Sequence, residues 1–114
     1  MIMNTYIHEN FWIWGRQDAI VIADGAAFCF LSVEDDNPAV AHLSNVSVHE
    51  LDRRKGYGDE LLNLAKDHAR EMGAKMLALW VDPNIWMFEW YKRRGFKHVM
   101  TYDDGMAGMT FDLE

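Results

Sequence analysis

The stretch that most constrains this chain runs from the middle of the sequence to Met72. Ala39 to Val48 alternates loosely and reads as a central strand. Arg53-Arg54-Lys55-Gly56-Tyr57-Gly58 reads as a short basic loop, and a helix opens at Tyr57 or Gly58 and runs to about Met72. A strand, a loop with two glycines and a helix start together form a device for holding a phosphorylated ligand. The glycines let the backbone turn tightly, and the first turn of the helix presents N–H groups with a favourable dipole. Arg53, Arg54 and Lys55 add positive charge. The same residues also describe a plain tight turn beside a solvated charge run. The pattern is neither the P-loop, which needs Gly-Lys-Ser/Thr, nor the dinucleotide fingerprint, which needs a third glycine.

The elements around this stretch define the class. Thr5 to Trp14 mixes β-branched and aromatic residues and predicts one or two short strands. Asp18 to Ala23 and Ala26 to Val33 are apolar runs separated by Asp24-Gly25, a strong hairpin signal. The acidic loop Glu34 to Pro38 is expected to end the second strand, because proline cannot continue a ladder. In the first helix Leu61, Leu62, Leu64, Ala65, His68, Ala69 and Met72 form the buried stripe, with Gly73 at its C-terminal end. Lys75 to Val81 predicts a strand and Ile85 to Arg94 a second, aromatic-rich helix stopped by Gly95. Phe96 to Tyr102 and Met109 to Leu113 predict a closing hairpin. Strands followed by helix, strand, helix and hairpin give an α/β or α+β layer, read as one domain over residues 1–114.

Composition narrows the partners. The formal charge of −7 argues against general nucleic-acid binding, which needs a basic face to displace counterions. Cys29 stands alone, so it forms no internal disulfide and is expected to be a small core residue in a reducing compartment. No run of about eighteen apolar residues suggests a membrane span, and a cytoplasmic location is expected. His8, His68 and His98 show no metal-type spacing with cysteines or acids, and no metal site is expected.

Four signals in order then carry a resemblance. Arg53-x-x-Gly56-x-Gly58 is similar to the Arg/Gln-x-x-Gly-x-Gly/Ala signature of the GNAT superfamily of acetyl-CoA-dependent N-acetyltransferases. Leu43 to His49 resembles that family's central strand, and Leu77 to Val81 its next strand. Asn84, Tyr91 and Gly95-Phe96 match its Asn…Tyr…Gly-Phe pattern. The likeness spans roughly residues 40 to 98. It implies a mixed, mostly antiparallel sheet flanked by two main helices, with acetyl-CoA as cofactor. Backbone N–H groups of Arg53, Arg54, Lys55, Gly56, Tyr57 and Gly58, with Asp59 in the first helical turn, would hold the pyrophosphate of coenzyme A. Val46, Ser47 and Val48 would pair with its pantetheine arm, and Asn84 would contact it from the other side. Tyr91 would act as general acid on the departing thiolate; a tyrosine with an ordinary pKa of about 10 keeps its proton at neutral pH. On residues alone, Tyr91 is also one more aromatic beside Trp86, Phe88 and Trp90.

The resemblance places His42 where some members carry a Glu acting as general base, and a neutral imidazole can do that work. His42 equally reads as a strand residue facing a polar edge, and His49 and Glu50 are weaker candidates. The expected reaction is direct acetyl transfer to a primary amine of a small molecule or protein. The alternative is a catalytically silent GNAT-fold module that binds coenzyme A or a protein partner. Two departures matter. Residues 1 to 40 lack the two helices that usually cover the acceptor side, so a second subunit, as in a homodimer, would be needed to close it. Met87 also stands where the family often has a small alanine.

Overall fold

The structure is a computed structural model that describes residues 4–49 and 54–114. Its order is β1 (Tyr6–His8), β2 (Phe11–Trp12), β3 (Gly15–Ile22), β4 (Ala27–Glu34), β5 (Asn37–Val48), α1 (Tyr57–Glu71), β6 (Met76–Val81), α2 (Trp86–Arg93), β7 (Lys97–Thr101) and β8 (Ala107–Asp112). The strands form one sheet in the order β1-β3-β4-β5-β6-β8-β7, with β2 also paired to β3. Every pairing is antiparallel except β5 with β6. The expected α/β (α+β) class, with a mixed, mostly antiparallel sheet and two main helices, is therefore observed.

Alternation sets the faces of the sheet. Ile20 and Ile22 on β3, Cys29 and Leu31 on β4, and Ala41 and Leu43 on β5 are buried on the face that receives α1. Leu61, Leu62, Ala65 and Ala69 fill the matching stripe of α1. Burying one such aliphatic side chain stabilises the fold by about 1.5–3 kcal/mol. Cys29 is a core residue, as expected, and burial pushes its thiol up to about 12, so it stays protonated and inert. The second helix lies beside the start of α1, where Arg94 pairs with Asp59. Among the described residues no helix covers the opposite face, where Trp80 is 60 % exposed and Phe28 37 %.

Two details depart from the sequence reading. The acidic segment does end β4, at Glu34, but Pro38 does not belong to the loop and is the second residue of β5. The β4–β5 register passes from Glu34↔Asn37 to Val33↔Ala41, so Pro38 lies in the skipped segment, where no β4 ladder bond is lost. His68 belongs to the buried stripe but is not there as an apolar residue. Its Nε2 lies 2.5 Å from Oδ2 of Asp18, which is fully buried on β3. Arg16 donates from Nη2 to the same oxygen at 2.6 Å and from Nε to Oδ1 at 3.3 Å. A buried carboxylate thus clamps α1 to the sheet through charge-assisted bonds.

The β5–β6 junction opens the sheet. Pairing starts at Val40↔Met76 and ends at His42↔Ala78, although both strands continue. From Leu43 to Ser47, β5 has no β6 partner. A bulge in β5 accompanies the split: Phe28 pairs with Ser47 and Phe30 with Ser44, so β5 carries one extra residue. Asn45 there has φ 52°, the left-handed conformation that asparagine tolerates better than most residues.

Candidate active site

A cleft of about 580 Å³ opens on the helix face of this split. Val46, Ser47 and Val48 form its strand wall. Arg54, Gly56, Tyr57, Gly58 and Asp59 form its end, and α2 closes it with Trp86, Met87, Trp90 and Arg94. Gly56 caps α1 with φ 81° and no side-chain cap bond. The first turn of α1 therefore faces the cleft with main-chain N–H groups that no cap side chain occupies, as an anion site requires. Gly58 has a different reason to be glycine: a Cβ there would lie 3.2 Å from Cζ2 of Trp90. The missing side chain lets the indole approach the loop.

Charge in the cleft is partly balanced internally. Arg94 makes a two-pronged pair with Asp59, through Nε to Oδ1 and through Nη2 to Oδ2 at 3.0 Å. The guanidinium also lies 4.1 Å from the Trp90 ring centroid. The Arg94 bond holds the Asp59 carboxyl below its ordinary range against opposing desolvation. Both partners are accessible, so the pair contributes at most about 1 kcal/mol. Its effect is to cancel the charge of Asp59, the one carboxylate among the described lining residues.

The sequence-derived site residues do not all meet in the cleft. Val46, Ser47, Val48, Arg54, Gly56, Tyr57, Gly58 and Asp59 come together in the cleft. Lys55 is exposed in the same loop without lining the cleft, and Arg53 and Glu50 lie outside the described residues. Asn84 is exposed in the turn before α2, with its N–H donating to Oδ1 of Asp82 at 2.9 Å, and is not part of the cleft lining. Tyr91 is 4 % exposed, packed against the rings of Trp90 and Phe96 at 5.2 and 5.3 Å, and also stands behind the lining. Burial, with a smaller contribution from Cys29, raises its phenol above the ordinary tyrosine range. Trp86, Trp90 and Arg94 were missed by the motif. Their spacing of four residues places them on one stripe of α2, a signal present in the sequence.

His42 points to the other face. It lines a second hollow of about 310 Å³ with Trp14, Ser32, Glu34, Leu43, Ser44, Ala78, Leu79 and Trp80. Its ring lies 5.9 Å from that of Trp80 with 28° between planes. Trp80 in turn meets Tyr102 edge-on at 6.0 Å. The two hollows flank the same opening between β5 and β6, one on each side of the sheet. No group of acids, histidines and cysteines among the described residues is arranged to hold a metal ion. No helix there is long and apolar enough to cross a membrane.

A central strand bulged and split from its parallel neighbour, with a glycine loop and helix N-terminus at the mouth, defines an acyltransferase-type fold. The sequence pattern of the Acetyltransferase (GNAT) family matches residues 4–96, and the chain belongs to that family. No curated protein sequence matches it. Among solved structures it is similar to a GNAT family acetyltransferase from Elizabethkingia anophelis with acetyl-CoA bound. That likeness has 14% identity and TM-score 0.70, over 96% of this chain and 98% of that one. It is also similar to the ribosomal-protein-S18-alanine N-acetyltransferase from Escherichia coli, with 23% identity and TM-score 0.68, over 90% and 72%. Tetrahymena GCN5 superposes with 19% identity and TM-score 0.72, over 86% and 69%.

Proposed function

We propose that the protein transfers an acetyl group from acetyl-CoA directly to a primary amine. The observation that carries this reading is the split between β5 and β6, with a cleft suited to the cofactor on one side and a separate hollow holding His42 on the other. In this reading coenzyme A occupies the cleft. Gly56 and Gly58 and the start of α1 offer N–H groups to a pyrophosphate, with Arg54 on the lining and Lys55 beside it in the sequence. Val46 and Ser47 offer a strand edge to an amide-bearing arm. When bound, acetyl-CoA supplies an activated acetyl group as a thioester. In this reading His42 takes the proton of the attacking amine, directly or through water, and Tyr91 gives a proton to the departing sulfur. A second subunit over the helix-free side remains part of this reading, with Trp80 and Phe28 as its apolar footing.

A second reading is favoured by one observation: Tyr91 and Asn84 stand outside the cleft lining. On that reading the protein binds coenzyme A without catalysis. Thermal-shift titration followed by a transfer assay separates the two. Ligand at about 100 times its dissociation constant should stabilise the fold by about 2.7 kcal/mol. Acetyl-CoA and coenzyme A should both do so, and absence of any shift would remove both readings. Product with an amine panel supports transfer; saturable binding without product supports the silent module. Gly58→Leu should weaken cofactor binding by about tenfold or more, because added volume enters the cleft and presses on Trp90. Unchanged affinity in that variant would place the cofactor elsewhere.

A further inference from the structure

The hollow around His42 carries more information about its occupant than its position alone. Among the described lining residues Glu34 is the one with a formal charge, and no Lys or Arg joins it. Ser32 and Ser44 offer hydroxyls, and the indoles of Trp14 and Trp80 form the broad walls. This arrangement is built rather than incidental. Gly15 pairs with Glu34 across β3 and β4, and the Asp35 N–H donates to the Trp14 carbonyl at 2.9 Å. A Cβ on Gly15 would fall 2.1 Å from the Val33 carbonyl oxygen. Only glycine allows that approach, which sets Trp14 next to Glu34 at the rim.

We propose that this hollow selects amines that carry no carboxylate, with Glu34 as the selecting residue and Trp14 and Trp80 as walls for the carbon framework. The proposal rests on the reading that the hollow receives the acceptor. A carboxylate attracts an ammonium group, and indole faces attract cations and apolar chains alike. An amino acid brings a second carboxylate into the same space, where it meets Glu34 and no cation. Like charges brought together across an interface are strongly disfavoured. The volume, about 310 Å³, lies at the small end of small-molecule sites and suits one amine-bearing chain.

Matched pairs that differ only by the carboxylate test this: tyramine against tyrosine, and cadaverine against lysine. Binding is measured by calorimetry on the full chain, independently of turnover. The decarboxylated member of each pair should bind about tenfold or more tighter. Glu34→Gln should narrow that ratio and Glu34→Lys should invert it, while circular dichroism confirms that both variants fold. Equal affinity within pairs, a ratio unchanged in Glu34→Gln, or no amine binding up to millimolar concentration would each overturn the proposal. Selective binding without acetyl transfer would uphold the proposal and count against the catalytic reading instead.

Discussion

Replacing Asp18 by alanine is expected to destabilise the fold by about 3–5 kcal/mol, the cost of breaking a buried ion pair from one side. Against a total stability of about 5–15 kcal/mol for a domain, this is enough to leave a large unfolded fraction in the less stable half of that range. The cause is local. Asp18 is fully buried, and its loss strands His68 inside the core and Arg16 at its edge. His68 has little reserve, because among the described residues its Nδ1 has no hydrogen-bond partner, with Glu71 at 3.7 Å. Denaturant unfolding measures the effect as a lower midpoint at unchanged slope. The double variant Asp18→Leu with His68→Leu should recover most of the loss, since no buried charge then remains unpaired. A midpoint for Asp18→Ala equal to the wild type would show that the clamp contributes nothing.

The same clamp has a pH signature. Burial pushes the Asp18 carboxyl up, but the bonds from Arg16 and His68 outweigh it, and the folded value lies below the ordinary one. A depressed carboxyl contributes stability that is present above the unfolded value, about 3.9. That contribution is lost as pH falls through the folded value. Stability should therefore fall in acid below about pH 4, with a shallower acid limb in Asp18→Ala. Identical limbs in the two proteins would assign the acid response to other carboxylates.

Tyr91→Phe is the second large effect expected. If Tyr91 is the general acid, removing its hydroxyl should lower turnover by about 10²-fold or more. Cofactor affinity should stay near the wild-type value, because Tyr91 stands behind the cleft lining. Its raised phenol pKa keeps the hydroxyl protonated throughout the neutral range and makes it a weaker donor than an ordinary tyrosine. The rate on the alkaline side should therefore not break at the ordinary tyrosine pKa of about 10. An unchanged turnover in Tyr91→Phe would return the residue to a packing role between Trp90 and Phe96. Cys29→Ser, which touches the same region of the core, serves as the control for packing damage.

Much of this architecture was legible from residue patterns. Asp24-Gly25, the stripe of α1 and the Gly56–Gly58 turn act locally, and each is found close to where the sequence puts it. The glycine loop and Val46 to Val48 also meet in one cleft. What escaped depends on contacts between distant residues. Nothing near Asp18 announces a partner 50 positions away on α1. Pro38 looked like a stop because its place in a skipped segment depends on the register of its neighbour strand. The stripe Trp86, Trp90 and Arg94 was readable, but only a known position for α1 tells which face of α2 matters. Glu34 was readable as part of an acidic loop able to attract a cation, but its place beside Trp14 depends on the close approach at Gly15.

The extra residue at Asn45 has one more effect, on phase. Before it, odd-numbered residues of β5, Ala41 and Leu43, turn toward the helices; after it, Val46 and Val48 pack on the core and Ser47 turns away. The strand is thus spliced from two halves of opposite parity. Deleting that single residue is expected to swap Ser47 inward and both valines outward. The identity of the cleft wall is therefore set by a count of residues as much as by their chemistry.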